Sequence, residues 1–314
     1  MKQSIGKTIY RKYGTYIILA ALVILLSIVA EGFFSVSNLT NILRTTSVYV
    51  LLGCGMTFVM LSGKIDLSVG SIVALTGCVA ALYMSHGGNM MVATLLGVLI
   101  GIVCGFINGF CVSILKVPFF ITTIGMMYAA SGIALVITHE NPISGLPDSF
   151  KIWGSRTVGI IPSQAIIAAI FFAICFFILK KSRLGRYTYA IGSNEQTTKL
   201  SGVNVKKYQI IIFTIGGLAA ALAGIVIASR LSIGSPLIGS GYEIDAIASA
   251  AIGGVSMSGG EGSVAKTIAG AFILSVIRTG LNILGISTSN QKIFIGVILI
   301  IVVAVDVLDK SKDN

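Results

Sequence analysis

Residues 13–30 read YGTYIILAALVILLSIVA, and from Ile17 to Ala30 the run is apolar on every helical face. A helix of about 20 mostly apolar residues spans the hydrocarbon core of a bilayer. Barrel strands alternate apolar and polar residues over about 10 positions, which this run does not do. Lys2, Lys7, Arg11 and Lys12 precede it, as basic residues precede a signal peptide. The run is longer than the roughly 7–15 apolar residues of a signal segment, and no small-x-small cleavage pattern stands before Glu31. It is read as an uncleaved first membrane helix.

Working outward, the same pattern recurs between charges at 45–63, 67–84, 90–115, 118–138, 159–179 and 208–229, then at 246–257, 267–281 and 293–308. That makes about ten crossings, or eight or nine if 246–257 only dips into the membrane. Of the 314 residues, 55% belong to the AVILMFWYC set and 11% are charged, against about 25% charged in an ordinary soluble domain. Too few charges remain to cover a water-facing surface. A soluble enzyme, a disordered chain and a nucleic-acid-binding domain are excluded. The expected fold is an all-α polytopic membrane protein, with tails at 1–12 and 309–314 around one transmembrane domain at 13–308.

The net charge of +11 would suggest an acidic partner in a soluble protein. With the N-terminus placed inside, the ten-crossing scheme puts 16 basic and six acidic residues on the cytoplasmic side, and six basic and five acidic outside. This is the positive-inside asymmetry of membrane proteins, so no nucleic acid is needed to explain it and both termini are cytoplasmic. Seven of the inside bases fall in the connection 180–207, KKSRLGRYTYAIGSNEQTTKLSGVNVKK. It reads as a docking loop. The other long connection, 139–158, lies outside.

Chemistry is sparse. Cys54, Cys78, Cys104, Cys111 and Cys175 sit in apolar runs without CxxC spacing, and His86 and His139 are the only histidines. No metal site, cofactor or catalytic residue is expected. Gly260-x4-Ala265-Lys266-Thr267 lacks the glycine before lysine and the strand of a phosphate-binding loop. Two polar stretches interrupt the runs. Ser62-Gly63-Lys64-Ile65-Asp66-Leu67-Ser68-Val69-Gly70-Ser71 reads as a cytoplasmic turn, as a polar hinge at a mouth, or as both. Gly241-Tyr242-Glu243-Ile244-Asp245 opens a small-residue helix followed by Gly253-Gly254, which reads as a tight turn or as a broken helix along a solute path. Thr57, Asn108, Thr122 and Thr123 are mild polar residues within runs. With Asp66, Ser68, Gly253 and Gly254 they are the candidates for a path suited to a neutral hydroxylated solute.

From Phe33 to Asp306 the chain resembles the membrane permease subunit of bacterial ABC importers for ribose and related monosaccharides. The marks are Phe34-Ser35-Val36-Ser37-Asn38-Leu39, Ile65-Asp66-Leu67-Ser68-Val69-Gly70-Ser71, Pro118-Phe119-Phe120-Ile121-Thr122-Thr123-Ile124-Gly125, Gly185-Arg186 with Ala190-Ile191-Gly192-x-Asn194, and Gly241-Tyr242-Glu243-Ile244-Asp245-Ala246-Ile247-Ala248. The resemblance implies a multi-pass subunit of the cytoplasmic membrane, surrounded by lipid and paired with a second permease copy. It also implies a cytoplasmic partner with two ATPase domains and an external sugar-binding protein. Gln196-Thr197-Thr198-x3-Gly202 resembles the EAA-x3-Gly coupling element, with the acid and both alanines replaced. ATPase coupling is therefore expected of Gly185, Arg186, Gly192, Asn194, Gln196, Thr197, Thr198 and Gly202. Lys64 stands where the family usually has glycine. A branched-chain amino acid permease and a stand-alone secondary transporter are the alternatives.

Overall fold

A computed structural model describes residues 5–311, and these are mostly helical. The helices are α1 (Ile5–Val29), α2 (Val36–Leu61), α3 (Val69–Ser85), α4 (Met90–Ser113), α5 (Phe119–Thr138), α6 (Ser163–Lys181), α7 (Arg183–Ser193), α8 (Glu195–Leu200), α9 (Val205–Leu231), α10 (Tyr242–Ile252), α11 (Val264–Ile283) and α12 (Thr288–Ser311). Two antiparallel ribbons complete the fold. β1 (Ile143–Ser144) pairs with β4 (Ile233–Gly234), and β2 (Thr157–Val158) with β3 (Ile161–Pro162). Seven helices, α2, α4, α5, α6, α9, α11 and α12, are long and apolar enough to cross a membrane, and α3 and Gly14–Val29 are shorter apolar helices.

Several boundaries differ from the sequence reading. Residues 5–12 are the first turns of α1, whose apolar part is Gly14–Val29, and α12 continues to Ser311. Residues 1–4 and 312–314 of the two expected tails lie outside the described residues. The second crossing begins at Val36, not 45, because Ser35 caps α2 by accepting from the Asn38 amide at 3.2 Å. Arg44 is therefore inside a helix. The 180–207 connection is not a loop but two short helices. Where a crossing at 246–257 is predicted, the helix is only 11 residues, about 16 Å at 1.5 Å per residue.

The packing is organised by glycine. Gly97, Gly101, Gly105 and Gly109 recur every fourth residue on α4; the last three face α9 with no room for a side chain, and a Cβ on Gly97 would lie 3.3 Å from Ile225 of α9 and 3.2 Å from the Thr76 carbonyl of α3. A Cβ on Gly105 would lie 2.9 Å from Thr214 Cα, and one on Gly109 would lie 2.6 Å from Ile210 Cα. Lipid is as apolar as leucine, so helices in a membrane associate through such close backbone contact rather than through the hydrophobic effect. α9 answers with Gly217 and Ala221. On its other sides it meets α2 at Gly55 and α3 at Gly77, each again through small residues.

The contacts define two ends. At one lie the ends of α2, α4 and α6, the start of α9, and helices α7 and α8. At the other lie the β1–β4 ribbon, the end of α9, and the 3-10 turn Asp148–Ile152, whose Phe150 carbonyl accepts from Ser229 Oγ. The segment around α10 runs from one end to the other. From β4 the chain passes along α3, Gly234 against Ala81 and Gly239 against the backbone of Gly70. α10 then packs on α2 and α11, and the Gly260 amide donates to the Leu61 carbonyl at 2.9 Å. The segment is thus a short helix between two irregular stretches; the helix packs on its neighbours, whereas Leu237 in the first stretch is 74% exposed.

Gly105→Val is expected to destabilise the purified protein by about 1–3 kcal/mol through overpacking. Gly125→Ala, at a helical glycine with open space around it, is expected to be neutral or stabilising by up to about 1 kcal/mol. Thermal unfolding in detergent measures both, and equal melting of Gly105→Val and wild type would remove the α4–α9 seam from its organising role.

Candidate functional site

Two sites and one polar seam emerge. The first site is the α7–α8 platform. Ser182 caps α7 through the Gly185 amide, and Gly185 sits against the α6 backbone at Leu179 with no space for a Cβ. Asn194 separates the two helices and caps α8, its Oδ1 accepting from the Thr197 amide at 2.8 Å. Thr198 is buried and donates to the Asn194 carbonyl at 2.7 Å. Arg186, Gln196 and Thr197 are exposed. Gly202 follows α8 at φ +82°, a backbone that favours glycine. The platform also exposes Leu200, 88% accessible, an apolar residue at a polar end that was not among the expected coupling residues.

The platform is fastened to the membrane helices by backbone. Gly192 lies against the Leu61 carbonyl and leaves no room for a side chain, and a Cβ on Gly259 would lie 2.8 Å from Gly63 Cα and 3.0 Å from Gly192 Cα. Tyr189 Oη donates to the Gly262 carbonyl at 2.9 Å. Lys64 Nζ reaches Glu195 Oε2 at 3.1 Å, and Gln209 Nε2 donates to the same oxygen at 2.9 Å. The lysine that departs from the family pattern therefore ties the α2–α3 turn to α8.

The second site gathers three of the predicted path residues. Asp66, Ser68 and Asn108 are fully buried. Asp66 Oδ1 accepts from the Ser68 amide at 2.9 Å and from Ser68 Oγ at 2.6 Å. Asn108 Nδ2 donates to Ser68 Oγ at 2.9 Å and to Asp66 Oδ2 at 3.3 Å. The carboxylate lies at the start of α3, where the helix dipole favours negative charge. This arrangement locks the α2–α3 turn onto α4. Thr57 is elsewhere, donating to the Gly53 carbonyl and bonded to Thr267 Oγ1, both at 2.7 Å. Gly253, which ends α10, abuts Thr267, and Gly254 turns at φ +83°. Thr122 and Thr123 on α5 join neither group, and Thr123 is buried.

The polar residues singled out within the runs were uncharged, although the run 267–281 itself contains Arg278. The structure places Arg44 within α2, Asp245 within α10 and Arg278 within α11. Arg278 pairs with Asp245, and its guanidinium lies 5.8 Å from the centre of the Tyr49 ring. Tyr49 meets Tyr242 edge to face at 6.4 Å. Using charges as run boundaries had put Arg44 in an external connection, and Arg278 was counted on the outside although it falls within the 267–281 run. The acidic opening of α10 was the available signal, because a buried Asp245 calls for a cation.

A family model described as the permease component of branched-chain amino acid transport systems matches residues 38–303. The ribose import permease RbsC of Escherichia coli K12 is 41% identical, with 92% of each chain covered. RbsC of Bacillus subtilis 168 is 40% identical over 95% of this chain and 93% of its own. The D-allose transport permease AlsC of E. coli K12 is 40% identical over 94% and 91%. No solved structure matches. Matched along most of its length by the family model and by these relatives, this multi-pass membrane chain belongs to the permease-component family.

Proposed function

We propose that the chain is the pore-forming subunit of an ATP-driven importer that moves a monosaccharide, ribose or a related sugar, across the cytoplasmic membrane by alternating access. The observation that carries this is similarity to ribose and allose permeases over more than 90% of the chain. The description of the family model names a different cargo, and the relatives at 40% identity favour the sugar. ATP hydrolysis belongs to a separate subunit with two ATPase domains, docking on α7–α8. An external binding protein delivers the sugar to the opposite end, on the 139–158 connection and the 231–245 stretch. A second copy of the permease completes the pore. Ten passes result if the irregular 233–263 segment is one of them, with both termini on the α7–α8 side.

The coupling reading gains support from the platform's shape. A mobile loop would lose small displacements, whereas two capped helices held by glycine backbone contacts transmit them. Gly185 and Gly192 fix α7, Asn194, Thr197 and Thr198 shape α8, and Arg186, Gln196 and Gly202 face outward. Leu200 adds an apolar knob for the partner.

Leu200→Glu is expected to remove an interface anchor of about 1.5–3 kcal/mol, weakening the ATPase complex roughly ten- to a hundredfold. Arg186→Glu and Gly202→Leu should likewise abolish uptake while leaving membrane insertion intact. Copurification with the ATPase subunit and uptake into proteoliposomes measure this, and wild-type coupling in all three variants would sink the docking assignment. Wild-type transporter assembled with its ATPase and binding protein is expected to accumulate one of ribose, allose or arabinose on ATP addition. Uptake of leucine or valine instead would overturn the sugar reading.

A further inference from the structure

We propose that the cleft between the end of α6, α7 and the start of α11 binds an anionic phospholipid of the leaflet on the α7–α8 side. The inference needs only that the chain spans a membrane. It stands apart from the importer reading above.

The cleft has a volume of about 410 Å³ and is lined by Phe176, Leu179 and Lys180 of α6, Tyr189 of α7, and Ser263 and Val264 at the start of α11. Its size lies in the range of small-molecule sites, about 300–1,000 Å³. Its depth in the membrane follows from α6. Ile170, Ile174 and Phe177 of that helix are exposed, as side chains facing acyl chains are in a spanning helix. Lys180 and Lys181 then close the helix, where basic residues meet headgroups. The cleft therefore opens at the boundary between hydrocarbon and water.

The lining is divided as an amphipathic ligand is. Phe176, Leu179 and Val264 form an apolar floor, and Lys180, Tyr189 and Ser263 supply polar groups. Lys180 folds back over the Phe176 ring, its Nζ 5.2 Å from the ring centre, which holds its charge at the cleft. It makes no ion pair among the described residues. Lys181 and Arg183, both exposed, add positive charge within three residues. α11 opens onto the same space. Ser263 caps it by accepting from the Ala265 amide at 3.2 Å, so the positive end of a 20-residue helix dipole lies at the cleft. Glu261, the acid nearest the cap in sequence, is exposed. Charge of this sign selects an anion, as basic pockets between membrane helices select anionic headgroups. The apolar floor selects an anion that carries acyl chains, since a free phosphate would leave Phe176 and Val264 unused. A lipid seated there would touch α6, α7 and α11 at once. It would lie beside the Tyr189–Gly262 hydrogen bond that fastens the platform and would stiffen that attachment.

The test uses the full chain in nanodiscs. Trp153→Phe removes the single native tryptophan, and Phe176→Trp places a reporter in the cleft. Phospholipids brominated on their acyl chains quench a tryptophan they touch, so brominated phosphatidylglycerol is compared with brominated phosphatidylcholine. Phosphatidylglycerol is expected to occupy the cleft at least ~5-fold more tightly, the scale of one cation acting on an anionic headgroup. A reporter at Phe106→Trp, on the exposed side of α4, should show no preference. Lys180→Gln should remove the preference at the cleft, and Lys207→Gln, an exposed base at the start of α9, should leave it. Equal quenching by the two lipids at the cleft, or a preference that survives Lys180→Gln, would overturn the site. So would a reporter that neither lipid reaches, the result if a second copy or another protein covers the cleft. Native mass spectrometry reads the same preference without a reporter. The unsubstituted chain should retain phosphatidylglycerol over phosphatidylcholine, Lys180→Gln should weaken that retention, and equal retention of the two lipids sinks the proposal.

Discussion

Backbone-to-backbone contact between α4 and α9 is the constraint on which the other positions depend. In a bilayer, apolar side chains gain little by leaving lipid for protein, so tight fit must supply what solvent exclusion supplies in water. The four glycines of α4 bring two helix axes together along most of their length. With α9 fixed, its remaining small residues receive α2 at Gly55 and α3 at Gly77. The functional elements are then hung from these helices. α10 lies on α2, and the platform α7–α8 is continuous in sequence with α9.

Much of the architecture was legible because the membrane demands long apolar runs. The runs at 90–115 and 118–138 match α4 and α5 closely. Misreadings cluster where a charge sits inside a helix. Arg44 shortened the second run because a guanidinium was taken to mark water outside a helix, whereas it lies in α2 and lines a polar cavity with Ser35, Asn38 and Asn41. The acidic start and trailing glycines of α10 had left a tight turn and a broken helix both open, and the helix found is 11 residues long. The cation that pairs with it was not anticipated, since Asp245 and Arg278 are far apart in sequence and nothing in spacing links them.

The candidate site divides in the same way. Residues of the α7–α8 element were legible as a group because they are contiguous and basic. Asp66 and Asn108 were each visible as polar residues in apolar surroundings, but their bond across 42 positions depends on how α4 and the α2–α3 turn are held. Leu200 was given no role of its own because a leucine's exposure cannot be read from a chain rich in leucine, and only the surrounding polar platform makes it informative.

The junction of Gly63, Gly192 and Gly259 has a consequence for how this protein can be rebuilt or can diverge. Three chain segments meet there through main-chain atoms, so none has side-chain slack with which to accommodate a change in another. Under the docking proposed above, the α7–α8 helices could not be exchanged alone for those of a transporter that uses a different motor. The end of α2 with Lys64, the α7–α8 pair and the stretch 259–263 would have to travel as one cassette, and lineages that switch motor partners should alter the three together.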